Sequence, residues 1–191
     1  MEKLFDFKLN TSYLTSKAFV DLEISTFQSA LHYIHQLPYG RNTDRSDYNL
    51  VLKEQIGTCS TKHALLKQLA IDNKQDNVKL YLSIYKMNGL NTSGIASVLQ
   101  QYNLDYIPEA HTYLKIEDRI VDVTRTDSSS HSFTDSILHE EVILPYQIGK
   151  YKINYHQNYL KHWLKSVKIT YTLEEIWTIR EACINALNQK T

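Results

Sequence analysis

Apolar residues recur at intervals of three and four positions in the segments that we predict to be helices. The first clear segment runs from about 25 to 37, and Pro38 ends it. The same spacing predicts a helix from about 59 to 72 and another over 155–167. A capping box that begins at Thr172 predicts the start of a last helix.

Alternating apolar and polar positions predict strands in other parts of the chain. They occur over 78–87, and again over 111–116 and 119–124, where they predict an antiparallel hairpin. At 191 residues the chain fits a single domain, and we expect a core over about 25–155 and a C-terminal helical extension over about 156–191. The segments without a clear period are predicted to be loops or extended chain, and they are 39–50, 125–136 and 146–153.

The predicted hairpin fixes which side chains share a face. With a two-residue turn at Glu117-Asp118, Tyr113 faces Asp122 directly. His111 is then diagonal to Asp122 on the same polar face, at a Cβ separation of about 7–8 Å. An imidazole and a carboxylate can hydrogen-bond across that gap.

A cysteine stands at the predicted start of the helix over 59–72. Gly57 is expected to let the backbone turn tightly before it. Cys59 then lies where unpaired amide groups and the helix dipole favour a negative charge. A thiol in that position is expected to ionise more readily than a free one, as a nucleophile requires.

The order of cysteine, histidine and aspartate along the chain resembles the transglutaminase-like branch of papain-fold enzymes. The resemblance is carried by Gly57-Thr58-Cys59, by His111-Thr112-Tyr113-Leu114 and by Val121-Asp122-Val123-Thr124, and it covers about 50–125. It implies an α+β fold with a papain-like core, in which a nucleophile-bearing helix packs on an antiparallel sheet. In many members a proline follows the aspartate, where this chain has valine.

The chemistry of that resemblance gives each residue a role. The Cys59 thiolate would attack an acyl carbonyl, His111 would accept and return the proton, and Asp122 would orient the imidazole. The backbone N–H of Cys59 is one donor to the developing oxyanion, and Gln55 is a candidate for the second, since papain-fold enzymes often use an upstream glutamine.

Further residues are candidates for substrate contact or for support of the site. Arg41 lies in the loop before the cysteine, and Tyr113 shares the polar face of the hairpin. His63 falls one helical turn after Cys59, which suggests a supporting role. A competing interpretation makes His63 the base and His111 merely structural.

The amino-acid composition limits the kinds of molecule that the protein is expected to bind. Lysine plus arginine equals aspartate plus glutamate at 21 each, so the formal net charge is zero, which argues against a nucleic-acid partner. No stretch approaches the roughly 20 apolar residues of a membrane span, so no membrane partner is expected. The two cysteines are far apart and form no disulfide framework, which favours a reducing, cytoplasmic compartment.

The resulting prediction is a cysteine-dependent hydrolase or acyl transferase that needs no cofactor and acts on a peptide, a protein or a small amide. The alternatives are a non-catalytic binding module with the same fold, in which Cys59 is a small buried side chain, and an acetyltransferase with a similar triad. Cys183 lies in an apolar helical stripe and is expected only to pack. No metal is expected, because the remaining ligand types lack zinc-site spacing; they are His32, His35, His139, Glu140 and Glu141.

Overall fold

The computed structural model of the chain describes residues 5–126, 131–167 and 169–188, and its fold is α+β, as predicted. The α-helices are α1 (Leu14–Val20), α2 (Phe27–Gln36), α3 (Leu50–Glu54), α4 (Cys59–Asp72), α5 (Ala96–Gln101), α6 (His131–Thr134), α7 (Lys150–Val167) and α8 (Leu173–Asn188). The strands are β1 (Val78–Met87), β2 (Ile107–Ile116), β3 (Arg119–Val121) and β4 (Ile137–Ile143), and they form one antiparallel sheet in the order β3-β2-β1-β4. Short 3₁₀ turns occupy Ser93–Ile95 and Pro145–Ile148.

The chain divides into two compact units that alternate along the sequence. Unit 1 comprises Met1–Leu82, Thr112–Ser129 and Glu141–Gly149, and unit 2 comprises Ser83–His111, Ser130–Glu140 and Lys150–Thr191. The single domain with a C-terminal extension stays a prediction.

Helix α4 forms the centre of unit 1. Helices α1, α2 and α3 and the turn Pro145–Ile148 all contact it. Its side chains are therefore buried around most of its circumference, and not along one stripe only; they include Ala64, Leu65, Leu66, Leu69 and Ala70. A helix enclosed in this way holds its polar side chains, too, away from water.

Several predicted elements are confirmed closely. Helix α2 begins after Thr26, whose side chain accepts a hydrogen bond from the Ser29 N–H. Helix α4 and strand β1 have the bounds that their spacing predicted. The hairpin turn is confirmed as well, since Glu117 and Asp118 have φ angles of 50° and 65°, as a type I′ turn requires.

The register of the hairpin is the predicted one, but its second strand is shorter. Leu114 pairs with Val121, and Ile116 pairs with Arg119. Strand β3 ends at Val121, so the predicted continuation to Thr124 is wrong. The physical reason is local: the Thr124 N–H donates to the Asp122 side chain, and such aspartate turns compete with strand pairing.

Two further predictions of secondary structure need correction, and one strand was not predicted. The segment 146–153 is not extended, because Pro145 opens a 3₁₀ turn and α7 begins at Lys150. Strand β4 was not predicted, since its central polar residues break the alternation of apolar positions. The predicted loop over 125–136 contains α6, and its residues 127–130 lie outside the described part of the chain.

Unit 2 contains a largely buried ion pair. Arg180 of α8 donates through Nε to Oε2 of Glu109 at 2.7 Å and through Nη2 to Oε1 at 2.6 Å. Burial opposes ionisation of Glu109, but the guanidinium outweighs it and brings the pKa of this carboxyl to about 2. Cys183 is fully buried in the same unit, and burial raises the pKa of its thiol to about 11.

Candidate functional site

Cys59 is the first residue of α4, directly after a reciprocal helix cap. The Thr58 hydroxyl accepts from the Thr61 N–H at 3.3 Å, and the Thr61 hydroxyl accepts from the Thr58 N–H at 3.0 Å. Here threonine fills the position that glutamate or glutamine takes in the usual capping box. The Cys59 side chain therefore occupies a well-defined helix N-terminus, as predicted, although the residue is only 8% exposed.

Gly57 supports this start of α4 by leaving space, and its backbone φ is not positive. A Cβ atom at this position would lie 2.8 Å from Cγ of Lys62 and 3.1 Å from Cγ2 of Val51. In the segment between α3 and α4, left-handed backbone occurs at Gln55, which has a φ of 53° at the end of α3. The expected tight turn at Gly57 is thus corrected to a packing requirement imposed by the Lys62 side chain.

Asp122 presents a fixed carboxylate in the same unit. Its side chain is 3% exposed, and Oδ1 accepts from the Thr124 N–H at 2.9 Å and from the Thr124 hydroxyl. Oδ1 also lies 3.5 Å from Nε2 of His63. Since two groups of Thr124 hold this oxygen, the plane of the carboxylate is set by the chain just after it.

His63 is fully buried and ties α4 to the segment that follows β3. Its Nδ1 lies 2.7 Å from the Cys59 carbonyl oxygen, and its Nε2 accepts from the Val123 N–H at 2.9 Å. A carbonyl only accepts, so Nδ1 carries the hydrogen and the ring is the neutral tautomer. The lone pair of Nε2 faces a backbone donor, which supports the predicted supporting role and argues against His63 as the base.

Lys62 is the residue at this site that sequence reasoning missed. It is fully buried, and its Nζ donates to the carbonyls of Leu37 at 2.6 Å, Thr124 at 2.9 Å and Val123 at 3.3 Å. Burial lowers the pKa of Lys62 to about 8, although the charges of Asp122 and Cys59 act in the opposite direction. No local signal in the sequence predicts this burial, because Lys62 is flanked by the polar residues Thr61 and His63.

The other three candidates have defined surroundings within unit 1. The Gln55 amide donates to the Leu52 carbonyl and accepts from the Tyr33 hydroxyl at 2.6 Å, so one of its two amide hydrogens already serves α3. Tyr113 is fully buried and stacks on Tyr81 at a centroid distance of 5.8 Å. Arg41 is half-buried. Their roles as oxyanion donor or substrate contacts stay predictions.

His111 belongs to unit 2, near the middle of β2. Its ring lies edge-on to two aromatic rings, with centroid distances of 4.6 Å to Phe133 and 6.1 Å to Tyr85. Its carbonyl accepts from the Ser83 hydroxyl at 3.4 Å. The structure thus brings Cys59, Lys62, His63 and Asp122 together in unit 1, whereas the predicted base is part of unit 2.

A metal site and a membrane-spanning helix are both absent from the residues that the structure describes. Across 5–126, 131–167 and 169–188, no group of three or more histidine, cysteine, aspartate or glutamate side chains is arranged to hold a metal ion. His35 instead contacts the Arg125 carbonyl at 2.9 Å. No helix in those ranges is both long and apolar enough to cross a bilayer.

The geometry gives the site a clear chemical character: a thiol at a helix N-terminus and an oriented carboxylate, joined by a neutral imidazole and a buried ammonium. Comparisons with protein-family models, with curated proteins and with solved structures found no match for this chain, so the likeness to transglutaminase-like enzymes stays a prediction.

Proposed function

We propose that this protein is a cysteine-dependent hydrolase or acyl transferase that acts on an amide or peptide bond, with Cys59 as nucleophile, His111 as base and Asp122 as the group that orients the base. The observation that carries the proposal is the capped helix N-terminus at Cys59, whose first turn is bonded to the segment after Asp122 through His63 and Lys62. A cysteine with only a packing role needs no such link to a fixed carboxylate.

The reaction follows the general course of acyl transfer through a thioester. The Cys59 sulfur forms a bond to the carbonyl carbon of the substrate, and the electron pair of the C=O π bond moves to the oxygen, which the Cys59 N–H stabilises. The C–N bond then breaks and the C=O bond re-forms, as the base gives the proton that it took from the thiol to the departing amine. Water, or a second amine, gives a proton to the base and attacks the thioester carbonyl carbon; the C–S bond breaks, the acid or the new amide leaves, and the thiolate is restored.

The test of this proposal is covalent capture. Electrophilic peptide and amide probes, each carrying a carbonyl next to the reactive carbon, are incubated with the folded protein, and the modified peptide is identified by mass spectrometry. We expect modification at Cys59, loss of capture in Cys59→Ala and unchanged capture in Cys183→Ala. Capture that persists in Cys59→Ala, or that fails with every probe, would contradict the proposal.

One observation favours the second candidate, a non-catalytic binding module. Cys59 is only 8% exposed, and free cysteine is among the most frequently buried residue types. The module predicts that a small neutral thiol reagent leaves Cys59 unmodified until the protein unfolds. The enzyme proposal predicts modification of the native protein, so the same reagent separates the two candidates.

A further inference from the structure

The buried ammonium of Lys62 has as many hydrogens as it has carbonyl partners. A lysine ammonium offers three N–H donors and no acceptor. The carbonyls of Leu37, Val123 and Thr124 all lie within 3.3 Å of Nζ. A neutral amine has two hydrogens and a lone pair, so one carbonyl would lose its donor and face that lone pair. The site is therefore built for the charged form.

The three carbonyls come from two segments, one of which directly follows the proposed catalytic carboxylate. Leu37 is the residue after α2, whereas Val123 and Thr124 directly follow Asp122. Lys62 itself lies on the first turn of α4, three residues after Cys59. One side chain thus bonds the chain that carries the carboxylate to the helix that carries the thiol.

The charges around Lys62 support the same assignment. Asp122 and Cys59 interact favourably with the ammonium, and Arg125 interacts unfavourably. His63 of the same helix turn is the neutral tautomer and adds no charge. Interaction between two charges is mutual, so the ammonium favours the negative forms of both Cys59 and Asp122.

We propose that Lys62 is a positioning residue of the Cys59 site, which holds the Asp122 segment against α4 and favours the thiolate form of Cys59. The inference rests on the proposed function and names the group that prepares its nucleophile. Lys62 acts through Cys59 and Asp122 and touches no substrate.

Helix α4 supplies a matched control for the experiment. Lys67 is also buried on this helix, and its Nζ donates to the Val78 carbonyl at 2.7 Å. The charge that acts on Lys67 is that of Asp76. Lys67→Met therefore removes a buried ammonium of the same kind from the same helix.

The measurement is the rate of Cys59 alkylation by iodoacetamide from pH 5.5 to 9.5, in a Cys183→Ala background. We expect Lys62→Met to slow alkylation at pH 6 about tenfold, because loss of a nearby positive charge raises a thiol pKa by about one unit or more. At pH 9.5 the variant and the parent should agree within about twofold. Lys67→Met should follow the parent profile.

Lys62→Gln removes the charge and keeps N–H donors for the carbonyls on a side chain one atom shorter, so it also covers the case in which Lys62→Met fails to fold. It should show the same slowing at pH 6. A measurement on the unsubstituted protein needs no variant at all: ¹³C NMR of Cys59 Cβ should show a second inflection at the pH at which Lys62 Cε titrates.

An unchanged pH profile in Lys62→Gln or Lys62→Met, an equal change in Lys67→Met, or a single inflection at Cys59 Cβ would overturn the inference. These failures are distinct from failure of the proposed function. If Cys59 of the parent protein is alkylated no faster at pH 6 than a free thiol, the proposed nucleophile itself is wrong, whatever the Lys62 variants do.

Discussion

Substitution of Asp122 tests most directly which role each side chain has at this site. Asp122→Asn keeps Oδ1 as an acceptor for both groups of Thr124, so the local turn and the fold should be retained. The side-chain amide that replaces the carboxylate, however, offers the His111 imidazole an N–H donor where an acceptor is needed. With a substrate found by covalent capture, we expect turnover to fall by about 10³–10⁴ with little change in thermal unfolding. Turnover within tenfold of the parent would remove Asp122 from the catalytic group.

His63 should have the opposite profile, with a large effect on stability and a small one on turnover. His63→Ala removes the acceptor of the buried Val123 N–H and the donor to the Cys59 carbonyl. Unpaired buried groups cost about 1–3 kcal/mol each, so urea unfolding should show a loss of that order. A stable variant with lower turnover than Asp122→Asn would make His63 the base.

Lys62 and Gly57 are residues whose surroundings could not be predicted from the sequence. A lysine is normally exposed, so nothing local predicted burial. Its partners lie 25, 61 and 62 positions away in the chain, and only the fold brings their carbonyls to one point. The need for glycine at position 57 follows from that same buried side chain, and a local turn rule did not reveal it.

Among the elements, α4 begins at a reciprocal side-chain cap. The Thr58 hydroxyl accepts from the N–H of Thr61, and no acidic side chain stands in the first turn. Thr58→Ala should therefore lower the free energy of unfolding by about 1 kcal/mol, measured by urea titration. Thr58→Ser keeps the hydroxyl and is the matched control. Equal stability of the alanine and serine variants would show that the cap contributes nothing.

The accuracy of the predicted elements follows their periodicity. Helix α4 and strand β1 have long, regular patterns, and the turn at Glu117-Asp118 is set by the two strands that flank it. Strand β4 lies at the edge of the sheet and has no regular alternation, so its pairing with β1 was not visible in the sequence. The order Cys59, His111, Asp122 could be taken from the sequence, but not the bonds that surround each residue.

For the molecule as a whole, the Glu109–Arg180 pair predicts how stability changes in acid. The folded pKa of Glu109 is about 2, below its ordinary value of 4.5, so the ionised pair stabilises the fold above about pH 4.5. That contribution should be lost as pH falls from about 4.5 to 2, and it amounts to about 3–4 kcal/mol at roughly 1.4 kcal/mol per pKa unit.

Urea unfolding at pH 7, 4.5 and 3 measures this contribution. Glu109→Gln should be less stable than the parent at pH 7, because it leaves a buried guanidinium without its carboxylate. It should then lose less stability than the parent between pH 4.5 and 3. Equal losses of unfolding free energy in the two proteins would show that Glu109 is not the cause of the loss of stability in acid.

The central claim is that Cys59 is a prepared nucleophile, and its pH-dependent alkylation tests that claim without a substrate. Native protein is treated with limiting iodoacetamide at pH 6 and at pH 9, and both cysteine peptides are quantified by mass spectrometry. Cys183 is fully buried with a pKa of about 11, so it should react only after denaturation. Cys59 should be modified almost alone at pH 6, since its thiolate is expected to persist below the roughly pH 8.5 midpoint of a free cysteine. His111→Ala should slow this labelling much more at pH 6 than at pH 9. Equal labelling of the two cysteines, or an unchanged pH profile in His111→Ala, would contradict the account.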